Sequence, residues 1–346
     1  MNSAVPTVTI IIPHSNGESM LRRCLLSLKK TVYHDYVVLI VDNASTDSSP
    51  DILLKEFPSV QIVRSEVNRG YAGGCNYGLK NTQSPYVVFL NNDAEVSPNW
   101  LTSLVEIMEK EPDIAAVQPK ILSVEQPSWF DYSGAAGGEI DIFGYPFARG
   151  RLFHLQEKDT GQYDAVSDIF WATGAALMVR RSCMDRVGRF EEAFFAHMEE
   201  IDLCWRFHLA GFRVCVDPSA VVYHQTGGTL GQQRMMKMVL NHRNNLLMLL
   251  RNYSWPFLIL IFPVRLLMET ITWFSSLICG HWKRMAAVPL GFFSLLGYGK
   301  TVLEGRRLVK RIRVVPDRRI IGKMYNGSVA FSFFVLRKRV YRDLIK

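Results

Sequence analysis

The chain has 346 residues, 48% hydrophobic and 21% charged, enough to bury one large core or two small ones, which excludes a disordered or fibrous protein. The formal charge of +8 is unevenly placed: residues 300–346 hold 14 Lys or Arg against 3 Asp or Glu, a net of +11, and residues 1–299 hold 26 against 29, a net of −3. This basic tail follows an aromatic-rich apolar stretch, an order that suits an anionic membrane surface rather than nucleic acid. Cysteines at 24, 75, 183, 204, 215 and 279 form no C-x-x-C pair and no dense framework, so neither a zinc module nor a disulfide scaffold is expected and a reducing, cytosolic setting fits. The first apolar run is short, stops at Pro13 and has no basic residue ahead of it, so no secretory signal is expected.

Residues 7–118 alternate short β-branched runs with polar-faced helical stretches. Val8–Ile12, Val37–Val41, Val60–Val63 and Tyr86–Leu90 are predicted strands; Glu18–Lys30, Ser48–Phe57, Gly74–Lys80 and Pro98–Lys110 are the predicted helices between them. Four such repeats imply an α/β protein whose mostly parallel, Rossmann-like sheet is covered by helices on both faces. Ligands of such sheets sit beyond the carboxyl ends of the strands, here Pro13–Gly17, Asp42–Asp47, Asn68–Asn76 and Asn91–Glu95. Residues 119–167, rich in Gly, Pro, Tyr and Phe without periodicity, read as hairpins or long loops that shape a substrate pocket. Beyond Trp171 come a strand at Ala175–Val179, a helix over Met198–Ala210, strands near Val214 and Val221, and a helix from about Gln232 to Arg251.

Residues 253–299 carry charge-free windows at Tyr253–Val264, Thr270–Trp282 and Met285–Gly299, each shorter than the ~18 residues expected of a spanning helix. Arg265, Glu269, Thr272 and Ser276 recur at i, i+4, i+7 and i+11, one polar stripe along an apolar helix. A helix lying in the membrane interface is the expectation, with a core-packing helix or a span kinked at Pro256 or Pro263 as alternatives. The chain thus divides into a catalytic region, 1–252, with a nucleotide half of about 1–118 and an acceptor half of about 119–252, and a membrane-associating region, 253–346. A chain cut near Arg251 is expected to stay in solution.

At the strand ends, Asp42 can accept hydrogen bonds from a base or ribose, or cap an Asx-turn. Gly70, Gly73 and Gly74 let backbone approach an anion at a helix N-terminus, or serve a tight turn; the spacing is neither a Walker A loop nor G-x-G-x-x-G. Asn91-Asn92-Asp93 ends a strand in oxygen-bearing side chains that suit Mg²⁺ or Mn²⁺ beside a diphosphate, or begins a helix. His224 at a strand end is a turn residue or a metal ligand with Asp93. Trp171 is a core residue or a platform for a sugar. In Glu199-Glu200-Ile201-Asp202-Leu203-Cys204-Trp205-Arg206, Asp202 and Arg206 at i+4 read as a structural ion pair, while Glu200, turned about 100° from Glu199, has no such partner.

Seven segments in this order carry a resemblance: Ile11–Gly17, Val41–Asp47, Asn68–Asn76, Leu90–Ala94, Thr173–Ala175, Phe194–Arg206 and Tyr223-His224. Over residues 7 to about 250 the chain resembles a family 2 glycosyltransferase of GT-A fold, in particular the bacterial rhamnosyltransferase-like branch. The resemblance implies an inverting, metal-dependent transfer of a sugar, rhamnose from a dTDP donor foremost and UDP donors next, onto a glycan or polyprenyl-linked glycan in surface polysaccharide synthesis. It implies a seat at the cytoplasmic face of the inner membrane. It assigns Pro13, Asn16, Asp42, Arg69, Gly73, Asn76, Asn91, Asn92 and Asp93 to the donor, Asp42 meeting the base. Trp171, Thr173 and Gly174 fall on the acceptor or sugar side, and Asp93 and His224 on Mg²⁺ or Mn²⁺. Asn91 stands where the family's D-x-D motif often has its first Asp. Glu199 and Glu200 match its Glu-Asp pair, whose second member is the usual general base, so a longer side chain must fit the same reach. Two rival readings are a nucleotidyltransferase, which normally needs a cationic Gly-rich loop where His14–Gly17 offers none, and a catalytically silent nucleotide- or glycan-binding module.

Overall fold

A computed structural model describes residues 5–225 and 234–345. The strands are β1 (Val8–His14), β2 (Tyr36–Asn43), β3 (Gln61–Ser65), β4 (Tyr86–Leu90), β5 (Ala94–Val96), β6 (Ile114–Ser123), β7 (Gly138–Ile140), β8 (Pro146–Ala148), β9 (Arg151–Leu152), β10 (Leu155–Gln156), β11 (Ser167–Asp168), β12 (Ala176–Arg180) and β13 (Arg213–His224). The first helices are α1 (Glu18–Leu28), α2 (Ser49–Glu56), α3 (Gly70–Leu79), α4 (Trp100–Lys110), α5 (Arg181–Val187) and α6 (Glu199–Leu209). They are followed by α7 (Arg234–Asn252), α8 (Trp255–Ile278), α9 (Trp282–Ser294), α10 (Gly299–Ile312), α11 (Asp317–Ile321), α12 (Val329–Phe334) and α13 (Tyr341–Leu344).

The central sheet runs β3-β2-β1-β4-β12-β6-β13-β11, with β5 paired to β13. Parallel pairing holds from β3 to β4 and between β6 and β13, while β12 enters antiparallel between β4 and β6. Period-2 alternation divides the core: Val8, Ile10 and Ile12 face the layer of α1, α2 and α4, and Ile11 faces the layer of α3, α5, α6 and α7. The strands expected near Val214 and Val221 are one strand with an irregular register between Asp217 and Val221. The segment 119–167, expected as hairpins or long loops, begins inside β6 and then forms hairpins, with β7–β10 in a small antiparallel sheet. The expected helix start at Gln232 lies outside the described residues.

Helix α3 begins at Gly70 rather than Gly74, because the Asn68 side chain accepts the Gly70 amide at 2.9 Å and the Asn43 side chain accepts the Arg69 amide at 2.9 Å. Gly70 has φ +66°, and a Cβ there would lie 2.3 Å from the Phe195 carbonyl oxygen, so only glycine lets the loop before α6 seat on this turn.

The C-terminal residues return to the catalytic region. Val309, Ile312, Ile320 and Met324 join the main core, Val314 and Val315 donate backbone hydrogen bonds to Leu209, and Tyr325 bridges Asp141. Asp141, fully buried, accepts the amides of Phe143, Tyr145 and Val329. Cutting at Arg251 would uncover this core, so the separability expected from the sequence is replaced by a shared interior.

The polar stripe of α8 turns into the protein and its apolar face turns outward. Arg265 and Glu269 are 2% and 6% exposed and turn into the protein, whereas Ile259, Leu260, Leu267, Ile271, Phe274 and Ile278 face outward. Arg265 donates to Tyr145 Oη at 2.7 Å and Asn245 Oδ1 at 3.2 Å and pairs with Glu269, whose other oxygen lies 2.7 Å from His242 Nδ1. These buried charges have partners only on that side, which fixes the rotation of the helix. The short windows also join: Trp255–Ile278 is one helix of 24 residues, and Trp282–Ile312 is a second run of 31, both long and apolar enough to cross a membrane.

Asp202 and Arg206, expected as a structural ion pair, are paired with side chains only 0% and 1% exposed. Asp202 accepts from Arg206 at 2.9 Å, Arg251 at 3.3 Å and Asn252 at 2.8 Å, and Arg206 also donates to the carbonyls of Val187, Gly188 and Arg189. Burial opposes the Asp202 charge, but Arg251 and Arg206 outweigh it and hold the carboxyl below its usual range. Asp202→Ala, which leaves the Arg206 guanidinium buried without its anion and Arg251 with Glu191 alone, is expected to destabilise the protein by about 3–5 kcal/mol in urea melts. A midpoint shift no larger than that of removing the exposed Lys300–Glu304 pair would contradict the assignment.

Candidate active site

The carboxyl ends of β1, β2 and β4 meet with His14 opposite Asp42, and β5 lies antiparallel to β13 with Ala94 opposite His224. That register sets Asp93 beside His224 although 131 positions separate them: Asp93 Oδ1 lies 3.1 Å from His224 Nε2, and the Gln225 amide donates to the Asp93 carbonyl. Asn91 Nδ2 also meets His224 Nε2 at 3.1 Å, and His224 Nδ1 bonds Asp131 at 3.0 Å. Burial disfavours charge on this imidazole, yet Asp131 and Asp93 outweigh it and push the pKa up to about 10. Asp93 Oδ1 is buried and, despite its contact with His224, makes no hydrogen bond.

Once an incoming cation displaces the proton from His224 Nε2, that nitrogen and Asp93 Oδ1, with Asp131 holding the far side of the ring, would form a donor set that fits a hard divalent cation such as Mg²⁺ or Mn²⁺. Among the described residues no three His, Cys, Asp or Glu gather as a metal cluster, so further ligands would come from a diphosphate and water, which matches Mg²⁺ preference. Asp131 escaped the sequence reading because it lies in the aperiodic segment after β6; only its pairing with His224 marks it.

Other strand-end residues define the walls. Asp42 is buried and accepts the Ser45 amide at 2.9 Å, an Asx-turn that fixes its carboxylate. Asn16, at φ +61°, accepts the amides of Thr46 and Asp47 and thereby ties the loops after β1 and β2 together. His14 Nδ1 accepts from Asn92 at 2.9 Å and Nε2 bonds Ser49 at 2.8 Å, a neutral ring whose pKa burial lowers. Pro13 packs on Gly74, Arg69 donates to Ser65, and Gly73 packs against the Arg69 side chain.

Four of the expected contact residues have polar groups engaged within the protein. Both ends of the Asn76 amide are spent on Phe190 and Glu192, so it braces the loop before α6. Trp171 is 5% exposed, with its indole N–H on the Glu139 carbonyl at 2.8 Å and its ring against Gly138, which makes it a core residue rather than a sugar platform. Thr173 is buried and bonded to Gln118, while the Gly174 carbonyl accepts Tyr71 Oη at 2.6 Å.

Glu199 and Glu200 open α6 after a turn in which Phe195, His197 and Met198 all hold positive φ, between 63° and 75°. Both carboxylates are sheltered, and one oxygen of each has no hydrogen bond. Burial raises the pKa of both; for Glu199 the neighbouring Glu200 charge adds to it, and for Glu200 the amides of Glu200, Ile201 and Met198 pull the other way. A carboxylate raised toward neutrality at a helix N-terminus is suited to taking a proton from a hydroxyl. The electrostatic reach of the pair extends to Tyr71 and Cys75 on α3, so the pair sits across from the glycine-rich turn.

Comparison with known proteins agrees with this geometry. The chain is 25% identical over 272 residues, 73% of its own length and 86% of the relative's, to the N-acetylglucosaminyl-diphospho-decaprenol L-rhamnosyltransferase of Mycobacterium tuberculosis. Its fold is similar to GalNAc-T7, solved with UDP, GalNAc and Mn²⁺ (TM-score 0.57, 17% identity, 72% of this chain and 48% of that one). It is also similar to the mannosyltransferase PcManGT of Pyrobaculum calidifontis, solved with GDP-Man and Mn²⁺ (TM-score 0.51, 15% identity, 90% and 86% covered). The glycosyl transferase family 2 model matches residues 9–183, half of the chain, and takes in β1 through β12 with the strand ends described above; the protein belongs to that family and is a glycosyltransferase.

Proposed function

We propose that the protein transfers rhamnose from dTDP-rhamnose, with inversion, to a glycan or polyprenyl-diphosphate-linked glycan during surface polysaccharide synthesis. The observation that carries this reading is the buried Glu199-Glu200 pair, raised in pKa and without hydrogen bonds to one oxygen each, facing the glycine-rich turn of a family 2 sheet. The rhamnosyl donor and the lipid-linked acceptor are supported by the mycobacterial relative.

Asp42 and Asn16 border the nucleotide, and Asp93 with His224 would hold Mg²⁺ or Mn²⁺. The ion, when bound, neutralises charge on the departing diphosphate. Glu200 accepts the proton of the acceptor hydroxyl as the new bond forms, and Glu199 beside it keeps the pair's affinity for that proton high. A single base with no second carboxylate acting as nucleophile gives inversion.

Seating at the membrane rests on the outward face of α8 and on Leu290, Phe293 and Leu296 in the run that follows it. A second apolar patch, Phe331, Phe334, Val335 and Leu336, adjoins exposed Arg337 and Arg339. Apolar insertion and basic attraction together hold a protein on an anionic surface where either alone is marginal.

Glu200→Gln is expected to keep nucleotide binding and cut transfer by about 10² or more, Glu199→Gln to cut it less, and Asp93→Ala to abolish turnover with weakened Mn²⁺ binding. A donor panel scored by nucleoside diphosphate release measures all three; near-normal turnover in Glu200→Gln would remove the base from this helix. The full chain should sediment with vesicles containing anionic lipid and bind neutral ones less. Equal partitioning would defeat the electrostatic part, and resistance to carbonate extraction would assign a spanning helix instead.

A further inference from the structure

The turn that launches the two glutamates is strained. Phe195, His197 and Met198 are non-glycine residues at φ 63°, 70° and 75°, a conformation that persists only where surrounding contacts impose it. The contacts come from two consecutive residues of α7. Asn244 Nδ2 donates to the carbonyls of Phe194, Ala196 and His197 at 2.9, 2.9 and 2.8 Å, and Arg243 donates to those of Ala193 and Phe194 at 2.8 and 3.2 Å. Two amide hydrogens serve three carbonyls, so the orientation of that amide is critical. Arg243 Nε fixes it by donating to Asn244 Oδ1 at 2.9 Å. Asn244 is fully buried, and Arg243 is braced by Tyr298 Oη at 2.7 Å.

The other side of the turn rests on the donor wall: the Ala72 amide donates to the Phe195 carbonyl at 3.2 Å, and Gly70 lacks the Cβ that would strike it. The turn is therefore held between α7 and the glycine-rich start of α3, and its shape sets how far the glutamates stand from a sugar bound at that start.

We propose that Asn244, oriented by Arg243, is a positioning residue for the base: it holds the 194–197 carbonyls so that Glu200 meets the acceptor hydroxyl. The inference rests on the assignment of Glu200 as base. Relaxing the turn leaves the nucleotide pocket intact and displaces only the proton acceptor, so turnover falls while donor affinity stays. Displacements of this kind cost up to about 10²-fold in rate.

The test compares the full chain, Asn244→Ala, Arg243→Lys, Glu200→Gln and the Asn244→Ala/Glu200→Gln double variant, using the sugar nucleotide that gives the strongest nucleoside diphosphate release. Lysine keeps the charge of residue 243 but not the fork that reaches both Asn244 and the carbonyls. The expected result is a fall in kcat of about 10-fold or more in Asn244→Ala and a smaller fall in Arg243→Lys, with donor KM within about twofold of the parent. The double variant should be scarcely slower than Glu200→Gln, because a residue acting through the base has nothing left to position. Amide exchange at Ala72 should quicken in Asn244→Ala, a readout that needs no substrate. Unchanged kcat and unchanged Ala72 exchange, a loss in donor KM alone, additive effects in the double variant, or loss of the folded state in both single variants would each overturn the inference. Normal transfer by Glu200→Gln would remove the base assignment and this inference with it; an inactive Glu200→Gln beside a normal Asn244→Ala would remove this inference alone.

Discussion

Everything near the reaction centre depends on one buried anion. Asp202 sits one turn into α6 and can exist as a carboxylate only because Arg206, Arg251 and Asn252 surround it. Through Arg206 it fixes the loop at 187–189, through Asn252 the end of α7, and through Arg251 both Glu191 and the Thr301 carbonyl at α10. The same helix begins with two glutamates that pair with no cation among the described residues. One helix thus carries a fully compensated carboxylate that locks its position and, at its start, a pair left uncompensated among the described residues.

The C-terminal helices are part of that arrangement. Helix α7 grips the turn before α6 with Arg243 and Asn244, and the next residue, Asn245, accepts from Arg265 of α8. His242, one position earlier, faces Glu269. The inward polar edge of α8 is therefore bonded to the helix that shapes the base turn, while its outward edge is apolar. The polar and apolar faces of this one element thus point in opposite directions, inward to α7 and outward from the protein. This explains why a region with the composition of a detachable anchor also contributes Val309, Ile312 and Ile320 to the core.

The sheet was legible because buried parallel strands leave short β-branched runs that polar-faced helices separate. Val8–Ile12 and Tyr86–Leu90 needed little correction. Asp93 and His224 were legible as chemistry and as strand ends, but Asp131 was not, since it sits in a stretch with no period and meets His224 from 93 positions away. Trp171 read as a core residue or a sugar platform and Asn76 as a donor contact; in the structure Trp171 is buried and the Asn76 amide is bonded to Phe190 and Glu192. The stripe at Arg265 and Glu269 was visible but not its direction, because periodicity gives a face and says nothing of what covers it. Arg243 and Asn244 had no signal at all; backbone carbonyls leave no trace in sequence.

The central claim is that Glu200, a carboxylate raised by desolvation, takes the acceptor proton. Its most direct test is the pH dependence of kcat/KM for sugar transfer by the full chain. Transfer needs the ionised form, so activity must rise with pH through the pKa of the pair and fall below it. Because burial raises that pKa, the acid limb should lie well above the ~4.3 of an ordinary glutamate. A limb at the ordinary carboxylate value, or a profile flat down to that pH while the protein stays folded, would contradict the account.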